Sequence, residues 1–172
     1  IARLARHPHV VGILQIGSAT TGAFSVASDY DLVIVLAEGR DPWYVGVTTI
    51  DGRFTDLLFV ADAALTRILS LAPPLAADDP LTPIVRWVRQ GQIHFDRHGR
   101  LALAQAHVGN DEWVAPAPDD AVYSAWFAVN YNLAQTRRMR QSPDPLYQQA
   151  VDLRLALYGY TDVWWSYFSV RR

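Results

Sequence analysis

The sequence predicts an α+β protein in which a small mixed β-sheet with flanking helices is followed by an all-helical domain. Up to about residue 108, short apolar runs typical of strands alternate with helix-like segments and with glycine or proline turns. After a polar, proline-rich stretch, apolar residues recur near helical spacing. We therefore expect a first domain over residues 1–108, a linker over 109–118 and an incomplete helical domain over 119–172.

Local sequence signals place the individual elements. In chain order we predict the end of a helix at 1–6, a strand at 9–17, one or two helical turns at 20–28, a strand at 29–36, a hairpin at 43–60, helices at 61–72 and 83–91, a strand and a helix within 93–108, and two helices after residue 119. Asp51-Gly52 indicates the hairpin turn, because this dipeptide favours the backbone angles that a tight hairpin needs. Pro73-Pro74 and Gly91 end the two central helices.

The composition is that of a folded, weakly acidic chain. Its 172 residues carry a net charge of −2, which gives no general attraction to nucleic acid or to an anionic membrane. It has no cysteine, and no apolar run approaches the roughly 18 residues of a membrane span. We expect a cytoplasmic protein without nucleic-acid or membrane partners, and a homodimer stays open. Because the chain begins at Ile1 and ends without a helix stop signal, we expect a fragment.

Two aspartates lie at the start of the second predicted strand. Asp29 and Asp31 are two positions apart, so on a strand their side chains leave the same face. Like charges at this spacing raise each other's pKa unless a cation lies between them. Mg²⁺ suits the pair, since it binds carboxylates together with substrate phosphates. Gly17 and Ser18 follow the first strand, where backbone N–H groups could approach a phosphate. The pattern predicts a site for a metal–triphosphate complex.

Asp56 is the third candidate ligand, because it interrupts an otherwise apolar strand. If this strand pairs beside the strand of Asp31, the three carboxylates converge. Two metal ions about 3.5–4 Å apart could then hold the attacking and leaving oxygens of an in-line displacement. Asp51 is the rival third acid, but its place before Gly52 explains it as a turn residue.

The stretch GSATTGAFSVASDYDLVIV, residues 17–35, resembles the signature of the polymerase-β-type nucleotidyltransferase superfamily. That signature begins with an apolar residue, then Gly, then either Gly or Ser. After a spacer it continues with two acidic residues separated by one other residue, and these lead into an apolar strand. The spacing from Gly17 to Asp29 and the position of Gly22 are similar to the small bacterial members, including the aminoglycoside nucleotidyltransferases and the minimal nucleotidyltransferases. Asp56 matches their third acid. GQIHFDRHG, residues 91–99, resembles a further stretch of these families, and the likeness covers residues 9 to about 104.

The resemblance implies the nucleotidyltransferase fold and an enzyme. Its expected reaction is the Mg²⁺-dependent transfer of a nucleoside monophosphate from an NTP, with ATP as the expected donor, to a hydroxyl of a small molecule, releasing pyrophosphate. Asp29, Asp31 and Asp56 are the expected catalytic and metal-binding residues. The expected nucleotide contacts are Gly17, Ser18 and Ser28.

Two alternatives stay open. One is a protein-directed, antitoxin-type minimal nucleotidyltransferase that binds or nucleotidylates a helical partner, and the other is a nucleotide-binding domain that has lost catalysis. From residue 119 onward there are five Asp and six Arg, which counts against a strongly cationic acceptor such as an aminoglycoside.

The chain departs from the family pattern at Thr21, where many relatives carry Arg near the triphosphate. The two metal ions and an arginine from elsewhere in the chain would have to replace the missing positive charge. By family architecture the candidates are Arg137 and Arg138, and less favoured ones are Arg53 and Arg40.

Three further groups of residues receive weaker interpretations. Asp144 and Asp152 are the visible candidates for an acceptor-side base in the helical domain. A zinc site is disfavoured for His94, Asp96 and His98, because their spacing is irregular. We expect the aromatic residues of the helical domain to form its core; they include Trp126, Phe127, Tyr131, Trp164, Trp165, Tyr167 and Phe168.

Overall fold

The computed structural model describes residues 1–20, 28–39, 43–109 and 111–154. The chain divides into two compact units, Ile1–Val114 and a second unit that begins at Ala115. The first unit contains a five-stranded sheet with helices, and the described part of the second is helical. The predicted α+β class with a mixed sheet is confirmed.

The sheet is mixed, with strand order β3-β4-β2-β1-β5. Its strands are Val10–Ile16 (β1), Tyr30–Leu36 (β2), Trp43–Ile50 (β3), Arg53–Ala61 (β4) and Gln92–Asp96 (β5). Strands β2 and β4 are parallel, whereas the other neighbours are antiparallel. The hairpin produces this parallel pair, because the chain leaves β2, forms the outer strand β3 and returns as β4 beside β2.

The predicted hairpin turn is confirmed. Asp51 and Gly52 both have positive φ angles, 52° and 76°, as a two-residue turn of this kind requires. The turn brings Ile50 opposite Arg53 and so fixes the register of the whole hairpin.

The two faces of the sheet have different cores. The first unit's helices are Ala2–Ala5 (α1), Asp62–Ser70 (α2), Thr82–Gln90 (α3) and Arg100–His107 (α4). Val33 and Val35 of β2 point to the face that packs against α2, α3 and α4, which we call the helix-covered face. Leu32 and Ile34 alternate with them and pack in a smaller cluster on the opposite face. Alternation along β2 therefore determines which of the two cores each of its side chains packs into.

Part of the segment predicted as a linker packs into the first unit. Trp113 is 2% exposed, and its indole N–H donates to the carbonyl of His107 at 3.1 Å. The backbone N–H of Leu75 donates to the carbonyl of Trp113 at 2.8 Å. The division between the units falls after Val114, within the segment predicted as the linker.

The second unit contains helices Asp119–Met139 (α5) and Pro145–Arg154 (α6) in its described part. The core prediction is wrong for Trp126, Phe127 and Tyr131, which are 47%, 54% and 53% exposed. Helical spacing indicates a shared face, and within the described residues that face has no covering element. The remaining aromatic residues of that prediction lie outside the described residues. None of the helices in the described ranges is long and apolar enough to cross a bilayer.

Candidate metal centre

Strand register brings two aspartates side by side. Asp31 of β2 is directly opposite Asp56 of β4 in the parallel pair, and on its other side Asp31 pairs with Ile16, the last residue of β1. Asp31 shares a face with Val33, and Asp56 shares a face with Val60. Both carboxylates therefore lie on the helix-covered face, at the end of the sheet where β2 begins.

Asp29 completes a group of three carboxylates. One carboxylate oxygen from each of Asp29, Asp31 and Asp56 lies within 4.8 Å of the others. Asp29 is exposed, and the other two are partly buried. The convergence predicted on the condition that the two strands pair is thus present.

The electrostatics of the group favour a cation. Burial, and after it the negative charges of Asp29 and Asp56, together raise the pKa of Asp31 from its ordinary value of 3.8 to about 6. Three oxygen donors are a ligand set that Mg²⁺ accepts. Oxygens on opposite sides of one Mg²⁺ lie about 4 Å apart, so the group could hold one ion after small side-chain shifts, or share a pair of ions.

The glycine turn after β1 lies against this group. Gly17 opens a short 3₁₀ turn, Gly17–Thr20, with a φ of 75°, and the Thr20 hydroxyl donates to the Gly17 carbonyl at 2.9 Å. A Cβ added at Gly17 would overlap the Oδ2 atom of Asp31. Only glycine combines this backbone angle with such a close approach. Ser18, partly buried, is the next residue of the same turn.

Ser28 lies immediately before Asp29 and is bound through its backbone. Its carbonyl accepts a hydrogen bond from the Arg53 guanidinium at 3.0 Å, and that guanidinium lies 5.8 Å from the centre of the Tyr30 ring. By strand alternation, Arg53 and Tyr30 are on the face opposite Asp31. These contacts make Arg53 a poor candidate for the arginine that would replace Thr21 at the triphosphate.

The other arginine candidates are not brought to the carboxylates by any described contact. Arg137 and Arg138 are exposed in the last turn of α5. Arg40 lies outside the described residues, as do Thr21 and Gly22.

Both candidate acceptor-side bases have local roles in the helical unit. Asp144 Oδ1 accepts the N–H of Leu146 at 2.9 Å in the first turn of α6. Asp152 Oδ1 accepts hydrogen bonds from Arg140 at 3.0 and 3.2 Å, and both side chains of this pair are more than half exposed.

Two members of the group His94, Asp96 and His98 have hydrogen-bond partners of their own. The ring of His94 lies 2.8 Å from the Gln15 side-chain oxygen, and Asp96 accepts the N–H of Ala102 at 2.9 Å near the start of α4. Asp51 lies in the hairpin turn with its positive φ, while Asp56 is the acid that meets Asp31.

Sequence reasoning missed an exposed apolar strip next to the carboxylates. Val47 pairs with Asp56 across the hairpin and is 64% exposed. Val45 and Phe54 lie on the same face and are 51% and 56% exposed. Period-two alternation through the hairpin, counted outward from Asp56, is the signal that could have found this strip.

No protein-family model and no curated protein matches the sequence. Among solved structures, the chain is similar to a nucleotidyltransferase-like protein from Exiguobacterium sibiricum 255-15, with 18% sequence identity and a TM-score of 0.44. The match covers 96% of this chain and 49% of that one, so this chain spans about half the length of its structural neighbour.

Proposed function

We propose that the protein is a Mg²⁺-dependent nucleotidyltransferase that transfers a nucleoside monophosphate from an NTP, with ATP as the expected donor, to a hydroxyl of a small molecule. The observation that carries the proposal is the meeting of Asp29, Asp31 and Asp56, with oxygens within 4.8 Å, beside the close approach of Gly17. Paired carboxylates on adjacent strands provide a ligand set for divalent ions, and a glycine turn leaves room for phosphate.

In this proposal the carboxylates have separate tasks. Asp29 and Asp31 would hold the metal ions, and Asp56 would share one of them. Bound Mg²⁺ would supply positive charge that neutralises the phosphate oxygens. The acceptor oxygen forms a bond to the α-phosphorus, the bond from that phosphorus to the bridging β-phosphate oxygen breaks, and pyrophosphate leaves. The acceptor proton passes to Asp56, since a carboxylate within hydrogen-bond reach can act as general base.

The nucleotide would lie along the turn after β1. Gly17 and Ser18 offer backbone N–H groups to the β- and γ-phosphates, as the nearness of this turn to Asp31 supports. Ser28, one residue before Asp29, is the third proposed contact.

Transfer of label tests the proposal. The protein is incubated with Mg²⁺, an α-phosphate-labelled NTP and panels of hydroxyl acceptors, and both labelled product and pyrophosphate are measured. We expect Asp56→Asn to lower the rate by about 10² or more, because it removes a metal ligand and the base. Asp51→Asn is the matched control, since Asn tolerates the positive φ of the turn and should leave the rate unchanged. Equal rates for the two variants would contradict the assigned roles.

A protein acceptor is the second candidate, favoured by one observation. Tyr123, Trp126, Phe127 and Tyr131 recur at helical spacing on α5 and are each about half exposed or more, with exposed fractions of 47–63%. An exposed aromatic stripe of this kind is typical of a surface that binds another helix. Label appearing on a copurifying protein rather than on small molecules would select this candidate. Nucleotide binding without label transfer to either class would indicate a domain that has lost catalysis.

A further inference from the structure

Asp29 lies outside the regular hydrogen-bonded part of the sheet. The pairing of β2 with β4 begins at Tyr30, which is opposite Thr55, and the exposed Asp29 precedes it. A carboxylate on unpaired chain loses conformational freedom when it binds a metal, and that loss weakens binding. A metal centre that includes Asp29 therefore benefits from a contact that fixes the chain on the other side of this residue.

Arg53 makes that contact. Continuing the β2–β4 register by two residues places Ser28 opposite Arg53. There the guanidinium donates to the Ser28 carbonyl at 3.0 Å, and it also lies 5.8 Å from the centre of the Tyr30 ring. Asp29 is thus held on both sides, by the Arg53–Ser28 bond before it and by the Tyr30–Thr55 pair after it.

The backbone of Arg53, the residue that makes this contact, is itself fixed by the sheet. Arg53 is the first residue of β4 and pairs with Ile50 across the hairpin turn. The hydroxyl of the fully buried Thr55 donates to the Arg53 carbonyl at 3.2 Å. The sheet therefore fixes the backbone of Arg53, and the contacts with the Ser28 carbonyl and the Tyr30 ring locate its guanidinium.

We propose that Arg53 is a positioning residue that holds Asp29 in place for metal binding, acting through the Ser28 backbone from the face opposite the carboxylates. The inference deepens the proposed function and rests on its metal centre. Residues that orient ligands in this way commonly change metal affinity by about tenfold or more when they are replaced.

Arg97 is a matched control within the same sheet. Its guanidinium donates to the carbonyls of Val10 and Ala5 at 3.2 and 3.1 Å and lies 5.2 Å from the centre of the Phe95 ring. It therefore combines backbone carbonyl contacts with an aromatic contact, as Arg53 does. It binds at Val10, the start of β1, whereas the carboxylates lie beside Ile16 at the end of that strand.

The test measures Mn²⁺ binding by calorimetry for the wild type, Arg53→Gln and Arg97→Gln, together with thermal unfolding of each without metal. We expect Arg53→Gln to bind Mn²⁺ about tenfold more weakly than the wild type. Arg97→Gln should bind Mn²⁺ as tightly as the wild type does, even if it lowers the unfolding temperature as much as Arg53→Gln does. A purely structural role of Arg53 would give both variants the same metal affinity at matched stability, and that result overturns the inference.

A lysine variant covers the case in which Arg53→Gln does not fold. Arg53→Lys keeps a cationic donor but has a single donor group in place of the planar guanidinium. Its Mn²⁺ affinity should therefore be lower than that of the wild type, by less than about tenfold. If Arg53→Gln does not fold and Arg53→Lys binds Mn²⁺ as tightly as the wild type, the positioning role of Arg53 is overturned. A wild type that binds no Mn²⁺ overturns the metal centre and this inference together, whereas equal binding by the wild type and a folded Arg53→Gln overturns this inference alone.

Discussion

The carboxyl group of Asp31 retains its proton more readily than an ordinary aspartate. Its pKa is about 6 in the folded chain, raised first by burial and then by Asp29 and Asp56, against 3.8 for an ordinary aspartate. Between these values the folded state binds more protons than the unfolded state. The free energy of unfolding contributed by this group therefore falls as the pH rises from about 4 to about 6.

Replacing this residue tests that dependence. Urea unfolding of the metal-free protein between pH 4 and 7 should show stability declining with pH more steeply in the wild type than in Asp31→Asn, since the amide does not titrate. A saturating divalent cation should reverse the trend, because it binds the deprotonated form. Wild type and variant curves that run parallel through this range would contradict the raised pKa.

The residue-scale contacts were only partly predictable. Asp29, Asp31 and Asp56 could be selected from the sequence because each is a charge beside an apolar strand. The role of Arg53 could not, because a hydrogen bond to the Ser28 carbonyl joins residues that are 25 positions apart and leaves no local pattern.

Between elements, the turn after β1 packs directly against β2. Gly17 with its φ of 75° approaches the Asp31 carboxylate so closely that a Cβ would displace it. We expect Gly17→Ala to weaken Mn²⁺ binding by about tenfold in calorimetry, since the ligand oxygen must move. It should also lower stability by about 1–2 kcal/mol through the strained backbone angle.

A second glycine separates those two effects. Gly52 has nearly the same φ, 76°, but a Cβ there would meet nothing within 4 Å. Gly52→Ala should therefore destabilise the protein by a similar amount while leaving metal affinity unchanged. If both variants bind metal equally, the close approach of Gly17 has no part in the site.

The elements themselves were predictable where local signals decide them. Asp51-Gly52 fixed the hairpin because the turn depends on two adjacent residues. The parallel pairing of β2 with β4 was only a condition in the sequence argument, since partner choice between distant strands depends on the whole sheet. Helical spacing likewise identified the aromatic face of α5 but does not show whether another element covers it, so the core prediction for Trp126 and Phe127 was wrong.

At the scale of the whole molecule, the charge distribution opposes the proposed ligand. The chain carries a net charge of −2, and its candidate site is formed by Asp29, Asp31 and Asp56. A triphosphate is a multiply charged anion, and three carboxylates repel it in the absence of a cation. We therefore expect nucleotide binding at this site to depend on a divalent ion.

The central claim is therefore tested most directly by calorimetric titration of a non-hydrolysable ATP analogue into the protein, with Mg²⁺ and with a chelator. The same titration is made for the double variant Asp29→Ala/Asp31→Ala, with circular dichroism as the control for folding. The account predicts binding that requires Mg²⁺ and is lost in the folded double variant. No binding by the wild type in Mg²⁺, or equal binding with the chelator, would contradict it.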